Sequence, residues 1–355
     1  MENTKKNLSY DKQLYVENTE RLRQILSALP PFVRLFFRAI EPQTTAKTRI
    51  SYSYDLRVFF RFLIEQKKCG KDDLLSLEVT DLDKVTSLDL EEYMEYLKTY
   101  SSKEDETLKI NTEQGLRRKL ASLKSFYHYY YKHEMIKTDP TVKLELPKLH
   151  KKEIIRLDPN EVAELLDLVE HGGDQLTGMK KVYYEKNKVR NLAIITLLLG
   201  TGIRVSECVG LDITDIDFDN DRIRIIRKGS KEDFVYFGEE VREALQNYLA
   251  QREQIKTMEG HENALFLSIR KRRITIQGIE DLVKDYASMV TTLKHITPHK
   301  LRSTFGTNLY RETDDIYLVA EVLGHNDINT TKRHYAATDE YRKRQAAKIV
   351  KLRKA

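Results

Sequence analysis

Six side chains in the second half of the chain are of the types that act on phosphate esters. They are Arg204, Lys228, His299, Arg302, His325 and Tyr335. Arginine suits phosphate because its planar guanidinium donates two parallel, charged hydrogen bonds. Two arginines together can neutralise the charge that develops on a pentavalent phosphorane, and the loss of one such donor typically costs about 3 kcal/mol. The sequence shows no Asp, Glu and His cluster suited to a metal pair, so neither a metal nor another cofactor is expected.

Tyr335 lies in the basic, polar segment TTKRHYAATDEY, in which an apolar core would be an unusual neighbour. A tyrosine hydroxyl ordinarily titrates at about 10, so a nucleophilic tyrosine needs cations close to it. The adjacent Lys332, Arg333 and His334 either assist in this way or contact a DNA backbone.

Each of these residues also has an ordinary structural explanation. Arg204 and Glu207 share a helical face, and an exposed ion pair between them would be worth little. Lys228 falls in a hairpin turn, where a solvated lysine is common. His325 follows Gly324 at the end of an apolar helix, a place typical of a structural histidine. The functional interpretation therefore depends on the whole set coming together.

The order of these motifs resembles that of the tyrosine recombinase (phage integrase-like) family, and most closely its Xer-type bacterial members. The matching stretches are R-V-S-E at Arg204–Glu207, R-K-G-S-K around Lys228, H-K-L-R at His299–Arg302, L-G-H ending at His325, and Tyr335. They extend over residues 200 to 336. The first half of the chain is matched only by its helical character and by its position before a linker.

The resemblance implies that Tyr335 is the nucleophile. It would attack the scissile phosphate and leave a 3′-phosphotyrosine and a free 5′-hydroxyl, while Arg204 and Arg302 hold the non-bridging oxygens. The covalent intermediate would conserve the energy of the phosphodiester, so strands could be rejoined to a new partner without ATP.

The remaining site residues receive supporting roles from the same resemblance. Lys228 would protonate the departing 5′-oxygen as a general acid. His299 and His325 would hydrogen-bond the phosphate and assist proton transfer from the tyrosine, and Glu207 would support the site. Tyr335 lies ten positions after His325, whereas the corresponding step in Xer-type proteins is usually nine, which leaves open whether cleavage occurs in cis.

The elements that must position these residues are mostly helices. DPNEVAELLDLVE predicts a helix capped by Asp158, and KNKVRNLAIITLLLG predicts a buried helix that ends at Gly202. RIRIIRKGSKEDFVYF predicts a β-hairpin with Gly229 in its turn. Thr297 and Pro298 are suited to begin the helix that carries H-x-x-R.

The first 150 residues show helical periodicity in three segments. They are TTAKTRISYSYDLRVFFRFLIEQKK, LDLEEYMEYLKTY after Ser87 as a cap, and NTEQGLRRKLASLKSFYHYYYKHEMI, whose Lys119 is expected off the apolar face. Five basic side chains on these helices are expected to meet DNA phosphates, although plain solvated faces would explain them too. They are Lys47, Arg49, Arg117, Arg118 and Lys124.

The fold class expected is mainly α, with a helical core-binding, DNA-clamping domain over residues 1–152. A mixed, mostly helical catalytic domain with a small antiparallel sheet would occupy 153–355. Two prolines and several lysines at 137–152 indicate an extended linker between them.

Composition is consistent with a globular protein but does not specify its partner. Hydrophobic residues make up 40% and charged residues 33% of the chain, and the net charge is +6. This mild basic excess is compatible with nucleic acid. Cys69 and Cys208 are the only cysteines, so no disulfide framework is expected. No apolar run is long enough for a membrane span, and a cytoplasmic location is expected.

The partners implied are double-stranded DNA with a specific recombination site, a homotetramer on two duplexes and possible accessory proteins. The terminal segment DEYRKRQAAKIVKLRKA would dock on a neighbouring subunit or form a frayed basic tail. Chromosome dimer resolution and mobile-element integration or excision both remain open. Two other classes also remain: a type IB topoisomerase that relaxes DNA without defined sites, and a DNA-binding regulator without catalysis.

Overall fold

The computed structural model describes residues 8–102, 107–148, 154–227, 231–325 and 327–332. The chain divides into two compact units, Met1–Lys151 and Lys152–Ala355. Both are mainly helical with small antiparallel sheets, which confirms the expected fold class.

Helices form most of the first unit. They are α1 (Tyr10–Ser27), α2 (Val33–Ala39), α3 (Ala46–Glu65), α4 (Ser87–Lys98) and α5 (Glu113–Lys132), with the strands β1 (Thr99–Ser102) and β2 (Thr107–Ile110) between α4 and α5. Helix α4 begins one residue before the expected position, because Thr86 and Asp89 form the capping box and Ser87 is already helical. The antiparallel pair of β1 and β2, in which Thr99 lies opposite Ile110, was not predicted from the sequence.

Aromatic side chains fill the core of the first unit. Phe126 of α5 lies at its centre, with ring centroids 5.3 Å from Phe36, 5.7 Å from Phe60 and 4.9 Å from Tyr130, all in edge-to-face geometry. Such pairs add to the burial energy of the rings because the positive ring edge meets a negative face.

Lys119 differs from the expectation that it lies off the apolar face of α5. It is buried and its Nζ lies 3.5 Å from Oδ1 of the buried Asp55 on α3. Burial raises the pKa of Asp55 above its ordinary value, although Lys119 and Arg118 both lie beside the carboxylate and act in the opposite direction. The position of Lys119 is thus set by an ion pair with a residue 64 positions away in the sequence. Helical periodicity alone cannot predict such a pair.

The segment expected as an extended linker is packed onto the first unit over its described part. Pro140–Lys143 form a 3-10 helix, and the side chain of Leu144 belongs to the aromatic core. Asp83 Oδ1 accepts a hydrogen bond from the backbone N–H of Lys137 at 2.7 Å. Residues 149–153 lie outside the described part of the chain.

The second unit surrounds one buried helix. Its elements are α6 (Pro159–His171), α7 (Gly178–Thr201), α8 (Val205–Gly210), β3 (Ile216–Asp217), β4 (Arg222–Arg227), β5 (Lys231–Tyr236), α9 (Glu239–Glu253), α10 (Ile276–Val290), α11 (Pro298–Thr313), α12 (Ile316–Leu323) and α13 (Ile328–Thr331). Strands β3, β4 and β5 form an antiparallel sheet in that order.

Helix α7 carries a run of side chains from Ala193 to Leu198, all of them apolar except Thr196, that is buried on all sides, because α6, α9 and α11 pack around it. A helix that is apolar all round must be central, so the run in KNKVRNLAIITLLLG predicted this position. The end at Gly202 and the cap at Asp158 are also confirmed. None of the described helices is both long and apolar enough to span a membrane.

Both cysteines are expected to resist thiol reagents in the folded protein. Cys69 and Cys208 are buried, and burial raises the pKa of the Cys69 thiol to about 11 and raises that of Cys208 further. Since the thiolate is the reactive form, only about 0.1% of Cys69 would be reactive at pH 8. Titration with a chromophoric disulfide reagent should detect no fast thiol in buffer and two thiols in denaturant. A fast native thiol would contradict the packing described here.

Candidate functional site

The helix that carries H-K-L-R begins where the sequence predicted it. Thr297 is the N-cap of α11 and Pro298 is its first residue. His299 is exposed in the first turn, whereas Arg302, one turn later, is 3% exposed. The two side chains therefore share a direction along the helix but not an environment.

Arg302 is held between two chain segments. Its Nη1 donates to the backbone carbonyl of Gly202 at 2.6 Å, and its Nη2 donates to that of Leu323. Gly202 ends α7 in the left-handed region, at φ 62°, where a side chain would collide with Phe305. One buried guanidinium thus joins the end of α7 to the end of α12.

Two hydrogen bonds from Arg204 to the Glu207 carboxylate cap the start of α8. The Arg204 backbone N–H donates to Glu207 Oε2 and its Nη1 donates to Oε1, each at 2.7 Å. The carboxylate of Glu207 is buried, whereas 38% of the Arg204 side chain is exposed. Nη2 of Arg204 also donates to the carbonyl of Gly324 at 3.4 Å. This geometry is that of an oriented arginine, not of a loose surface ion pair.

A third arginine, Arg227, meets the same helix end and was not singled out from the sequence. Its Nη2 and Nη1 donate to the carbonyls of Val322 and Leu323 at 3.1 and 3.2 Å. Its Nε donates to Asp233 Oδ2 at 3.0 Å, and its Nη1 lies 3.7 Å from Glu207 Oε2. The only signal in the sequence was its place directly before Lys228.

The C-terminal end of α12 is thus surrounded by three guanidinium groups. The last carbonyls of a helix have no partner within it and carry the negative end of its dipole, so cations and donors are stabilised there. Arg204, Arg227 and Arg302 come from α8, the β4–β5 hairpin and α11, and all donate to carbonyls of residues 322–324. This convergence brings separate motifs of the sequence to one place.

His325 follows Gly324 directly and belongs to the same place. Its backbone N–H donates to Ala320 at 2.9 Å, and its Nδ1 is 2.8 Å from Oγ1 of the fully buried Thr331. This hydrogen bond fixes the orientation of the His325 ring. Thr331 is therefore, like Arg227, a site residue that the spacing of motifs in the sequence did not indicate.

Replacement of Gly324 by alanine is expected to destabilise the second unit and disturb the site. The residue has φ +60°, and a Cβ there would lie 2.7 Å from Cζ of Arg227. The left-handed backbone alone costs a residue with a side chain roughly 1–2 kcal/mol. Displacement of Arg227 adds the loss of its carbonyl contacts.

The matched control for this prediction is Gly178→Ala, because Gly178 has φ +58° and nothing within 4 Å of an added Cβ. Thermal unfolding of both variants separates the backbone cost from the collision. If Gly324→Ala lowered the melting temperature no more than Gly178→Ala, the proposed clash with Arg227 would be absent.

Two residues of the candidate catalytic set, Lys228 and Tyr335, lie outside the described residues, as do Gly229 and the terminal segment 339–355. The flanking strands β4 and β5 are described, and Arg227 lies opposite Lys231 in their register. The described residues contain no group of three or more His, Cys, Asp or Glu that could hold a metal ion.

The basic side chains of the first unit are placed less uniformly than their periodicity suggested. Lys47 is exposed, but Arg49 is only 4% exposed and pairs through Nη1 with Glu41 at 2.6 Å. Arg118 is about half exposed and pairs with the buried Asp55.

Arg117 and Lys124 of α5 bind the segment that follows this helix. Arg117 Nη1 donates to the carbonyl of Pro147 at 3.2 Å, and Lys124 Nζ donates to that of Leu144 at 2.6 Å. Their cationic groups thus have a structural use within the first unit.

Comparison with known proteins gives consistent matches. Residues 156–342 match the profile of the phage integrase family. The tyrosine recombinase XerC of Caldanaerobacter subterraneus subsp. tengcongensis is 34% identical over 305 residues, which are 83% of this chain and 79% of that protein. XerS of Streptococcus thermophilus is 30% identical over 338 residues, which are 88% and 93% of the two chains.

A solved structure matches at the level of the fold. The XerH site-specific recombinase, bound to its difH substrate in a pre-cleavage complex, superposes with a TM-score of 0.60 at 20% identity. The superposition covers 89% of this chain and 83% of that one.

Proposed function

The chain belongs to the phage integrase family of tyrosine recombinases, and from this membership we propose that Tyr335 cleaves DNA at a phosphate held by Arg204 and Arg302. The protein is a site-specific recombinase of the Xer type, which cuts and rejoins DNA strands. The assignment of each step to particular residues is the proposal.

The convergence of guanidinium groups at the end of α12 best supports this assignment of residues to the steps of cleavage. Arg204 and Arg302 bond to adjacent residues there, and His325 is the next residue along the chain. A phosphodiester carries its charge on two non-bridging oxygens, which match the fork geometry of arginine. Arg204 is the more exposed of the two.

The proposed reaction is an exchange of one ester for another. The phenolic oxygen of Tyr335 forms a bond to phosphorus as the bond to the 5′-oxygen breaks, so the number of phosphoester bonds is unchanged. The phenolic proton passes to His299 or His325, and Lys228 donates a proton to the leaving 5′-oxygen. Attack by a 5′-hydroxyl of another strand reverses these steps and completes the exchange.

We further assign a positioning role to Arg227. It ties the end of β4, directly before Lys228 in the sequence, to the turn before His325, and it lies beside Glu207, which orients Arg204. A displacement of any of these three segments would therefore be transmitted to the others.

The proposed substrate is double-stranded DNA with a specific recombination site. The related XerH structure is a complex with its own difH DNA. We propose that the first unit clamps the duplex and that Lys47 and Arg118, which are exposed, contact its backbone; Arg117 and Lys124 are further candidates. Backbone binding of this kind weakens steeply as salt is raised.

We also propose how the protein assembles on DNA and where it acts. Two duplexes would be joined by a homotetramer, assisted where needed by accessory proteins, in the cytoplasm. The role that we propose for this reaction is chromosome dimer resolution or mobile-element integration or excision.

Covalent trapping on genomic DNA tests the activity and locates the target site in the same experiment. The full chain is incubated with nicked fragments of host DNA, the protein is denatured, and DNA that remains attached is sequenced. We expect an adduct on Tyr335 and reads concentrated at one short site. Reads dispersed over the genome would instead indicate a type IB topoisomerase, and a lack of any adduct would indicate a regulator without catalysis.

A further inference from the structure

An arginine-lined cavity in the first unit has no part in the recombination chemistry described above. It has a volume of about 490 Å³ and lies among α1, α2 and the start of α3. Its charged lining consists of Arg23, Arg34, Arg38, Arg49 and Glu41. Four guanidinium groups face one carboxylate, so the cavity carries a net charge of +3.

Three of the four cations of this cavity are not neutralised by the protein itself. The side chains of Arg23, Arg34 and Arg38 are exposed and have no ion-pair or hydrogen-bond partner among the described residues. Like charges held close together repel one another, and a dissolved anion relieves that repulsion. Guanidinium groups in particular bind phosphate oxygens through paired hydrogen bonds.

Arg49 provides a second, independent indication. It is 4% exposed, and its Nη1 is held by Glu41 at 2.6 Å, yet its Nε has no hydrogen-bond partner. No other buried side-chain nitrogen or oxygen of the described residues lacks a partner. An unsatisfied buried donor is costly, so a site that retains one next to an arginine-lined cavity is suited to an anion.

The size and the apolar part of the cavity indicate the kind of anion. A volume of about 490 Å³ is that of a small-molecule site. Leu22, Leu26 and Phe37 supply a non-polar wall beside the arginines. The geometry therefore points to a ligand with several phosphate charges and a flat, less polar body.

We propose that this cavity binds a nucleoside polyphosphate, with its phosphates on Arg23, Arg34 and Arg38 and its nucleoside against the apolar wall. The nucleotide is free in solution, because a nucleotide within a DNA strand carries only one charge on its phosphodiester and does not supply a chain of linked phosphates. The proposal uses none of the catalytic residues and stands independently of their assignment.

Calorimetric titration of the full chain with ATP in the absence of DNA tests this proposal. We expect binding of ATP, weaker binding of pyrophosphate, and none of adenosine. Replacement of both Arg34 and Arg38 by alanine should weaken ATP binding at least about tenfold, because each removes a charged hydrogen bond.

The control variant is Lys12→Ala, which removes an exposed positive charge on α1 outside the cavity and should leave ATP binding unchanged. The double variant should unfold at the wild-type temperature because its arginines have no partners among the described residues. Tyr335→Phe should bind ATP like the wild type, which separates this proposal from the catalytic one.

Competition with DNA tests whether the cavity is separate from the DNA-binding surface. A short single strand should not displace ATP; displacement together with weaker binding of that strand by the double variant would make these arginines DNA contacts and overturn the proposal. Failure of the wild type to bind ATP, or equal binding by the double variant, would overturn the proposal. Weaker duplex binding by the double variant without any ATP binding would also overturn it, and would make these arginines ordinary backbone contacts.

Discussion

Tyr335→Phe is expected to abolish covalent attachment to DNA and leave DNA binding intact. The substitution removes one oxygen atom, which is the nucleophile, and retains the ring. No other group of the site can form the phosphoester, so adduct formation should fall by at least roughly 1,000-fold, as when other enzymes lose their nucleophile. The measurement is the yield of denaturation-resistant protein–DNA complex on a nicked duplex.

The matched control is Tyr341→Phe, because Tyr341 is the next tyrosine along the same segment. It should form the adduct at the wild-type rate. Gel-shift titration should give the same affinity for both variants and for the wild type, since the phenolic oxygen contributes little to backbone binding. Normal adduct formation by Tyr335→Phe, or its loss in Tyr341→Phe, would assign the nucleophile to another residue.

This prediction also separates the rival classes of function. A regulator without catalysis would show no difference between Tyr335→Phe and the wild type in any assay. A type IB topoisomerase would lose plasmid relaxation in the variant, and its wild type would relax a plasmid that carries no recombination site. A recombinase requires the site.

Arg302→Lys is expected to slow strand cleavage by about 100-fold, although the positive charge is kept. The guanidinium of Arg302 spans the carbonyls of Gly202 and Leu323 while it is nine-tenths buried. A lysine is a point charge without the fork, so it cannot hold both carbonyls and also present a donor to phosphate. The expected loss corresponds to about 3 kcal/mol of transition-state stabilisation.

Stability must be separated from chemistry in this experiment, because a carbonyl left unsatisfied costs about 1–3 kcal/mol. Cleavage should therefore be measured in single turnover, well below the melting temperature of the variant. Arg311→Lys is the control, since Arg311 is exposed near the end of the same helix. Wild-type cleavage by Arg302→Lys would show that the fork at this position has no catalytic part.

The local signals in the sequence were dependable where the backbone itself set the requirement. Asp158, Thr297 and Pro298 begin helices as expected, and Gly202 and Gly324 end them in the left-handed region. Such positions tolerate only a few residue types, so the residue type in the sequence predicts the start or the end of the helix.

These local signals did not predict the contacts that build the site. Arg227 meets Leu323 across 96 residues and Arg204 meets Gly324 across 120. A long side chain can turn toward many neighbours, and spacing along the chain does not say which one it meets. Arg49 and Lys119 illustrate the same point, because each was expected to face solvent and each is buried beside a carboxylate.

By itself the sequence determined the helices, their caps, the hairpin and the family, because these rest on short stretches of chain and on the order of motifs. Only the tertiary structure decided that three arginines meet at one helix end, that the described part of the expected linker packs on the first unit, and that a cationic cavity forms among α1, α2 and α3. The physical reason is that burial and long-range hydrogen bonds depend on which segments become neighbours. That pairing is a property of the packed core and not of any one segment.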